Sequence, residues 1–353
     1  MTLVTRLGAL LLITALIAAL LWGYGGVSRG YEALLALTYA VEGREYQADL
    51  YRPETPRRGA LILVHGFTEA GRRDPRLMEF AVTLSRLGFT VMVPELEGLK
   101  RFSVSTREVE AIADAIRHLT ETEPVARSNT ALAAISLAVG PALIAAKQED
   151  TAERVRFLIA LGGYYDLTDM LRYVTTGEDR GGAGQAAPPP QREGRWAVLL
   201  SQLHWLEDEK DRARLATIAR RKLDDPLAPV QAEVDRLGPQ AKAAYSLVTN
   251  EDPDRVEGLI EALPPSLLEE FEALNLSARD LDKLQAQLVL IHGPNDRVIP
   301  VSHSRRLRHA VPQGQARLFE AGGLEHVEVS PGWRDGWGLW RATTHVLALG
   351  ERQ

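Results

Sequence analysis

Hydrophobic positions along the chain follow two alternating rhythms. Short apolar runs occupy residues 60–64, 90–93, 130–135, 157–161, 287–291 and 316–319, and segments of helical period lie between them at 75–87, 106–120, 137–147, 302–310 and 336–349. The short runs are buried strands and the longer periodic ones are amphipathic helices. Strands separated by helices of about 10–15 residues return to the same sheet by right-handed crossovers, which predicts a mostly parallel, doubly wound α/β sheet with helices on both faces. Residues 35–41 and 45–51, joined by a short turn containing Gly43, predict an antiparallel hairpin at its edge.

The rhythm changes in two places. Residues 7–28 read LGALLLITALIAALLWGYGGVS without one charge. At about 1.5 Å per residue such a helix crosses a hydrocarbon core of about 30 Å. Trp22 and Tyr24 stand at its end, where a cleaved signal peptide carries small residues and an anchor carries interfacial aromatics. Residues 1–30 are therefore expected to be an N-terminal transmembrane anchor, followed by one domain over residues 31–353. Arg6 and the terminal amine precede the run and Arg29 follows it, a slight bias that places the domain in the periplasm or outside the cell.

The second change lies between residues 168 and 285. Gly177 to Arg195 is rich enough in glycine and proline that no packing is expected of it. Helical period then returns at 196–206, 211–222 and 265–274 with no strand, which predicts a helical cap inserted between two strands of one sheet.

Composition removes several functions. The 45% hydrophobic and 25% charged residues suffice for a buried core, and a net charge of −6 argues against nucleic acid as a partner. Without cysteine the chain has no disulfide, thiolate zinc site, iron–sulfur cluster or cysteine nucleophile. Neither metal-ligand spacing nor a glycine-rich phosphate loop occurs, so no metal and no cofactor are expected.

Open α/β sheets bind ligands at the C-terminal ends of their strands. There the chain carries Ala134-Ile135-Ser136-Leu137-Ala138-Val139-Gly140, a serine between a strand and a helix. A tight turn at that point pushes the hydroxyl clear of the sheet, and Leu137 N–H at the helix start can hold an oxyanion. Read alone, Ser136 is better explained as a helix cap. Another strand ends in Val64-His65-Gly66-Phe67, whose Phe67 N–H can enter the same crevice, with His65 bracing the loop. Asp296 follows the 287–291 strand and His326 follows the 316–319 strand. Ser, Asp, His, each after its own strand, is a known chain order for a hydrolytic triad. Asp166, after the 157–161 strand, is the rival for the acid.

These segments resemble the α/β-hydrolase superfamily from about residue 35 onward: VHGF at 64–67, ISLAVG at 135–140, HGPNDRVIP at 292–300 and GGLEH at 322–326. The chain is similar to membrane-anchored bacterial esterases related to dienelactone hydrolases, in which a segment like Gly-Tyr-Tyr-Asp-Leu at 163–167 precedes a cap. The resemblance implies eight strands, a helical lid after the sixth, and acyl transfer from an ester or thioester to water. It implies Ser136 as nucleophile, His326 as base and then acid, Asp296 as the group orienting the imidazole, and Phe67 and Leu137 as oxyanion donors. The alanines at 134 and 138 depart from the G-x-S-x-G pattern. The alternative function is a catalytically silent hydrolase fold that binds a lipid or protein partner at the membrane. Oligomeric state is not legible.

Overall fold

The computed structural model describes residues 31–127, 129–182, 187–191, 193–322, 324–326, 328–329 and 336–351. The expected anchor, residues 1–30, lies outside the described residues, among which no helix is long and apolar enough to cross a membrane.

An eight-stranded sheet forms the centre, in the order β1-β2-β4-β3-β5-β6-β7-β8. Its strands are β1 (Tyr31–Val41), β2 (Arg44–Pro53), β3 (Ala60–Val64), β4 (Thr90–Pro94), β5 (Thr130–Ile135), β6 (Val155–Leu161), β7 (Gln287–His292) and β8 (Ala316–Glu320). The hairpin of β1 and β2 is antiparallel and sits at the edge, β2 pairs antiparallel with β4, and every other pairing is parallel.

Strand side chains alternate between two cores. Ile62, Val64, Leu132, Ala134, Leu158, Leu288 and Leu290 pack toward the helices Thr106–Thr122 and Val139–Ala145. Leu61, Leu63, Ala131, Ala133, Phe157, Ile159 and Val289 pack toward Pro75–Arg86 and Gly336–Glu351. Both faces are thus covered, which is why the central strands read as unbroken apolar runs.

Helices fill the chain between β6 and β7: Leu167–Thr176, Gly194–Gln202, Glu209–Asp224, Pro239–Val248, Val256–Glu261 and Pro265–Leu274. They have a core of their own around Trp196, Leu199, Leu215, Ile218, Leu247 and Val256, and Phe271 touches both this core and that of the sheet.

The expectation that residues 177–195 do not pack fails for the described part of that segment. Gly177, at φ 85°, closes the helix Leu167–Thr176 in the left-handed conformation. Beyond it, Asp179 accepts from Ser302 Oγ at 2.7 Å, Pro188 O from Tyr173 Oη at 2.7 Å and Pro189 O from Arg297 Nε at 2.8 Å. Gln191 N–H returns the contact by donating to Arg297 O at 2.9 Å. Its described part is a strap tied to the loop after β7. The helix expected over 137–147 is also shorter: one 3₁₀ turn over Ser136–Ala138, then Val139–Ala145.

Candidate active site

Ser136 leaves β5 with φ 58°, in the left-handed region that a side chain enters only at a cost. Its neighbours enforce the turn. Ala134 and Ala138 are wholly buried, and a Cβ on Gly66 would lie 3.3 Å from Ile135 O and 3.6 Å from Ser136 Cβ. From the other side, a Cβ on Gly163 would meet Val139 at 2.6 Å, and one on Gly140 would lie 1.8 Å from Tyr164 Oη. That hydroxyl donates to Leu274 O at 2.8 Å, so the turn is clamped between the sheet and the inserted helices.

The serine hydroxyl does not cap its helix. Its partner is His326, whose Nε2 lies 2.9 Å from Ser136 Oγ, while Nδ1 lies 2.8 Å from Asp296 Oδ2. An ionised carboxylate only accepts, so Nδ1 carries the hydrogen and Nε2 is left to accept from the serine hydroxyl. His326 itself sits at φ 55° on the loop after β8. Gly162, at φ 59°, passes beside the pair: a Cβ there would come within 3.5 Å of His326 Nδ1 and 3.6 Å of Asp296 Oδ2.

Asp296 is not a surface-turn residue, being wholly buried. Its Oδ1 accepts Val298 N–H at 2.8 Å and Ile299 N–H at 2.9 Å. Burial pushes the carboxyl up, and hydrogen bonds from His292 and His326 outweigh it, holding the group well below the usual carboxylate range. Asp166, the rival acid, is otherwise engaged. It caps the helix Leu167–Thr176 through Asp169 N–H at 3.1 Å and faces Arg306 at 3.5 Å.

Phe67 and Leu137 are half-buried against the core that carries the turn, and Gly66 brings the Phe67 loop alongside Ser136. The Phe67 ring packs on Phe102, whose centroid is 5.7 Å away. Next to it, Ser103 Oγ lies 3.2 Å from His204 Nδ1 of the inserted helices, which therefore reach this loop. His65 braces it: Nδ1–H donates to its own loop at Gly66 O, 2.8 Å, and Nε2 accepts Leu96 N–H at 3.4 Å. Among the described residues no cluster of His, Asp and Glu could hold a metal ion.

No family profile and no curated protein matches the chain. Solved structures do resemble it. One is a puromycin-hydrolysing peptidase of Mycobacterium tuberculosis, with TM-score 0.52 and 14% identity over 90% of this chain and 39% of that one. Another is dipeptidyl peptidase 4 of Porphyromonas gingivalis, with TM-score 0.51 and 10% identity over 92% of this chain and 36% of that one. The chain has the α/β-hydrolase fold. It spans about two fifths of the length of these two neighbours. At such identities the likeness extends to architecture alone, an eight-stranded, mostly parallel sheet.

The residue overlooked in the sequence is His292. It lies 3.3 Å through Nε2 from Asp296 Oδ2 and is as deeply buried as the carboxylate. A histidine closing a strand carries no periodic signal, and its spacing of four from Asp296 gains meaning only once the turn between them is folded.

Proposed function

We propose that the chain is a serine hydrolase that cleaves a carboxylic ester or thioester through an acyl-enzyme on Ser136. The observation that carries the reading is the unbroken relay from Ser136 Oγ through His326 to Asp296, at 2.9 and 2.8 Å. His326 Nε2 takes the hydroxyl proton as Ser136 Oγ attacks the acyl carbon. The imidazolium that forms faces the Asp296 carboxylate, and the negative charge on the former carbonyl oxygen is received by the N–H groups of Leu137 and Phe67. His326 then returns the proton to the leaving alcohol or thiol, and a water activated by the same nitrogen releases the acid. No metal or cofactor enters these steps. Both of these structural neighbours are named as peptidases. The same groups act on an amide when the leaving nitrogen can be protonated, so aminoacyl anilides belong in a substrate panel led by p-nitrophenyl esters.

The reading also places the domain at a membrane, held by residues 7–28 and facing the periplasm or exterior. A fluorophosphonate probe tests the chemistry, since only a serine activated by a base is labelled rapidly at neutral pH. Rapid labelling is expected for the parent chain and none for Ser136→Ala. Labelling retained in Ser136→Ala, or absent from the folded parent, rejects the reading and leaves the silent fold that binds a partner.

A further inference from the structure

Asp296 Oδ2 faces two imidazoles. His326 Nδ1 is 2.8 Å away on the serine side and His292 Nε2 is 3.3 Å away on the other. We propose that His292 is a positioning residue that donates to the free flank of Asp296 and thereby sets both the orientation of the acid and the pH range in which His326 works. This inference rests on the serine-hydrolase reading.

Hydrogen-bond inventory fixes the tautomer. His292 Nε2 lies 2.8 Å from Ile299 O, which can only accept, so Nε2 bears the hydrogen, and this N–H also stands 3.3 Å from Asp296 Oδ2. Nδ1 lies 2.7 Å from Ser304 Oγ, at the start of the helix Val301–His309, and is left to accept the serine hydroxyl. Accepting there makes Nε2–H a stronger donor. The strand end, the acid turn and the following helix thus contribute one group each to a chain running Ser304, His292, Asp296, His326, Ser136. All of the first three are buried to within 1% of complete.

Two consequences separate this role from simple packing. Oδ2 is held between two donors and cannot swing away from His326. In addition, the N–H of His292 draws charge from the oxygen that stabilises protonated His326. Without it that oxygen binds the imidazolium more tightly, so activity is lost on the acid side at a higher pH. Other groups facing the pair are Tyr173 from the helix Leu167–Thr176, Asp179 and Arg297 near it, His303 and Arg306 on the helix Val301–His309, Asp166, and Glu320 on β8. The substitutions below leave all of them in place.

The test compares pH profiles of p-nitrophenyl acetate hydrolysis for the full chain, with active sites counted by fluorophosphonate titration. His292→Leu should lower kcat per titrated site roughly ten- to a hundredfold, the loss of one hydrogen bond to a charged group, with KM changed less than about twofold. Its acid limb should move up by about half a pH unit or more. His292→Gln, whose amide can again donate to Asp296, should return the limb to the parent position and kcat to within about fivefold. Ser304→Ala keeps the imidazole and covers the case in which His292→Leu does not fold; a smaller shift in the same direction is expected. An unmoved limb in His292→Leu and Ser304→Ala, or an equal shift in His292→Gln, overturns the assignment while Ser136→Ala remains unlabelled. Labelling of Ser136→Ala overturns the hydrolase reading and this inference with it.

Discussion

Ser136 holds a backbone conformation worth roughly 1–3 kcal/mol of strain, and the residues around it are small because the turn leaves no room for larger ones. Ala138 is buried without a trace of exposure, two residues beyond the serine. Ala138→Gly is expected to keep activity or raise it, whereas Ala138→Val should inactivate by moving Ser136 off the 2.9 Å contact with His326. Ester turnover by the two variants at equal protein concentration checks this, and equal rates would mean that the turn has slack. Asp296→Asn should cost roughly three to four decades in kcat, because an amide that donates to His326 fixes the wrong tautomer. If Asp166→Asn were the more damaging change, the acid would have to be reassigned. Ser136, Asp296 and His326 were legible because each follows its own apolar run in a turn-forming context. His292 was not, since its meaning depends on Ile299 O and Ser304 Oγ, brought to it by a turn and a helix start that sequence spacing does not aim.

The central strands were the most legible elements, because burial on both faces leaves no polar positions to blur them. The inserted helices Pro239–Val248 and Val256–Glu261 were not singled out, because their apolar positions are shared with a core that exists only after the insertion has closed on itself. The strap escaped for another reason: Pro188 and Pro189 bind through main-chain carbonyls, which composition does not report. Asp74, almost buried, caps Pro75–Arg86 through Arg76 N–H at 2.9 Å and accepts Thr68 Oγ1 at 3.0 Å. The Arg76 side chain, aided by these bonds and opposed by burial, holds the Asp74 carboxyl down at about 2, against 3.8 ordinarily. A carboxyl lowered on folding stabilises the folded state fully above its unfolded value and loses that effect as pH falls through the folded one. Asp74→Ala is therefore expected to cost about 1 kcal/mol at pH 7. Its deficit against the parent should shrink between pH 4 and pH 2, measured by denaturant unfolding. A deficit constant with pH would mean that the charge contributes nothing to the cap.

At the scale of the whole molecule, the sheet is complete from β1 onward. That strand pairs with β2 along its length, its far end is tied down where Tyr39 stacks on His118, and Arg44 and Tyr46 of β2 bond Asp114 at 2.8 Å. Leu34 and Leu35, near the start of β1, are 42% and 40% exposed, so the uncharged stretch of residues 7–28 is followed closely by apolar surface. A bilayer seated there would cover those side chains along with the proposed anchor. Deleting residues 1–28 should therefore release from the membrane fraction an enzyme that labels with fluorophosphonate as fast as the full chain. Full-length protein should stay with the membranes through a carbonate wash. On the proposed anchor reading, the charge on either side of the apolar run favours a cytoplasmic N-terminus and an outward-facing domain. Protease added to intact spheroplasts should then degrade the domain, while a cytoplasmic marker survives; protection until lysis would reverse the orientation and restrict its substrates to esters found inside the cell.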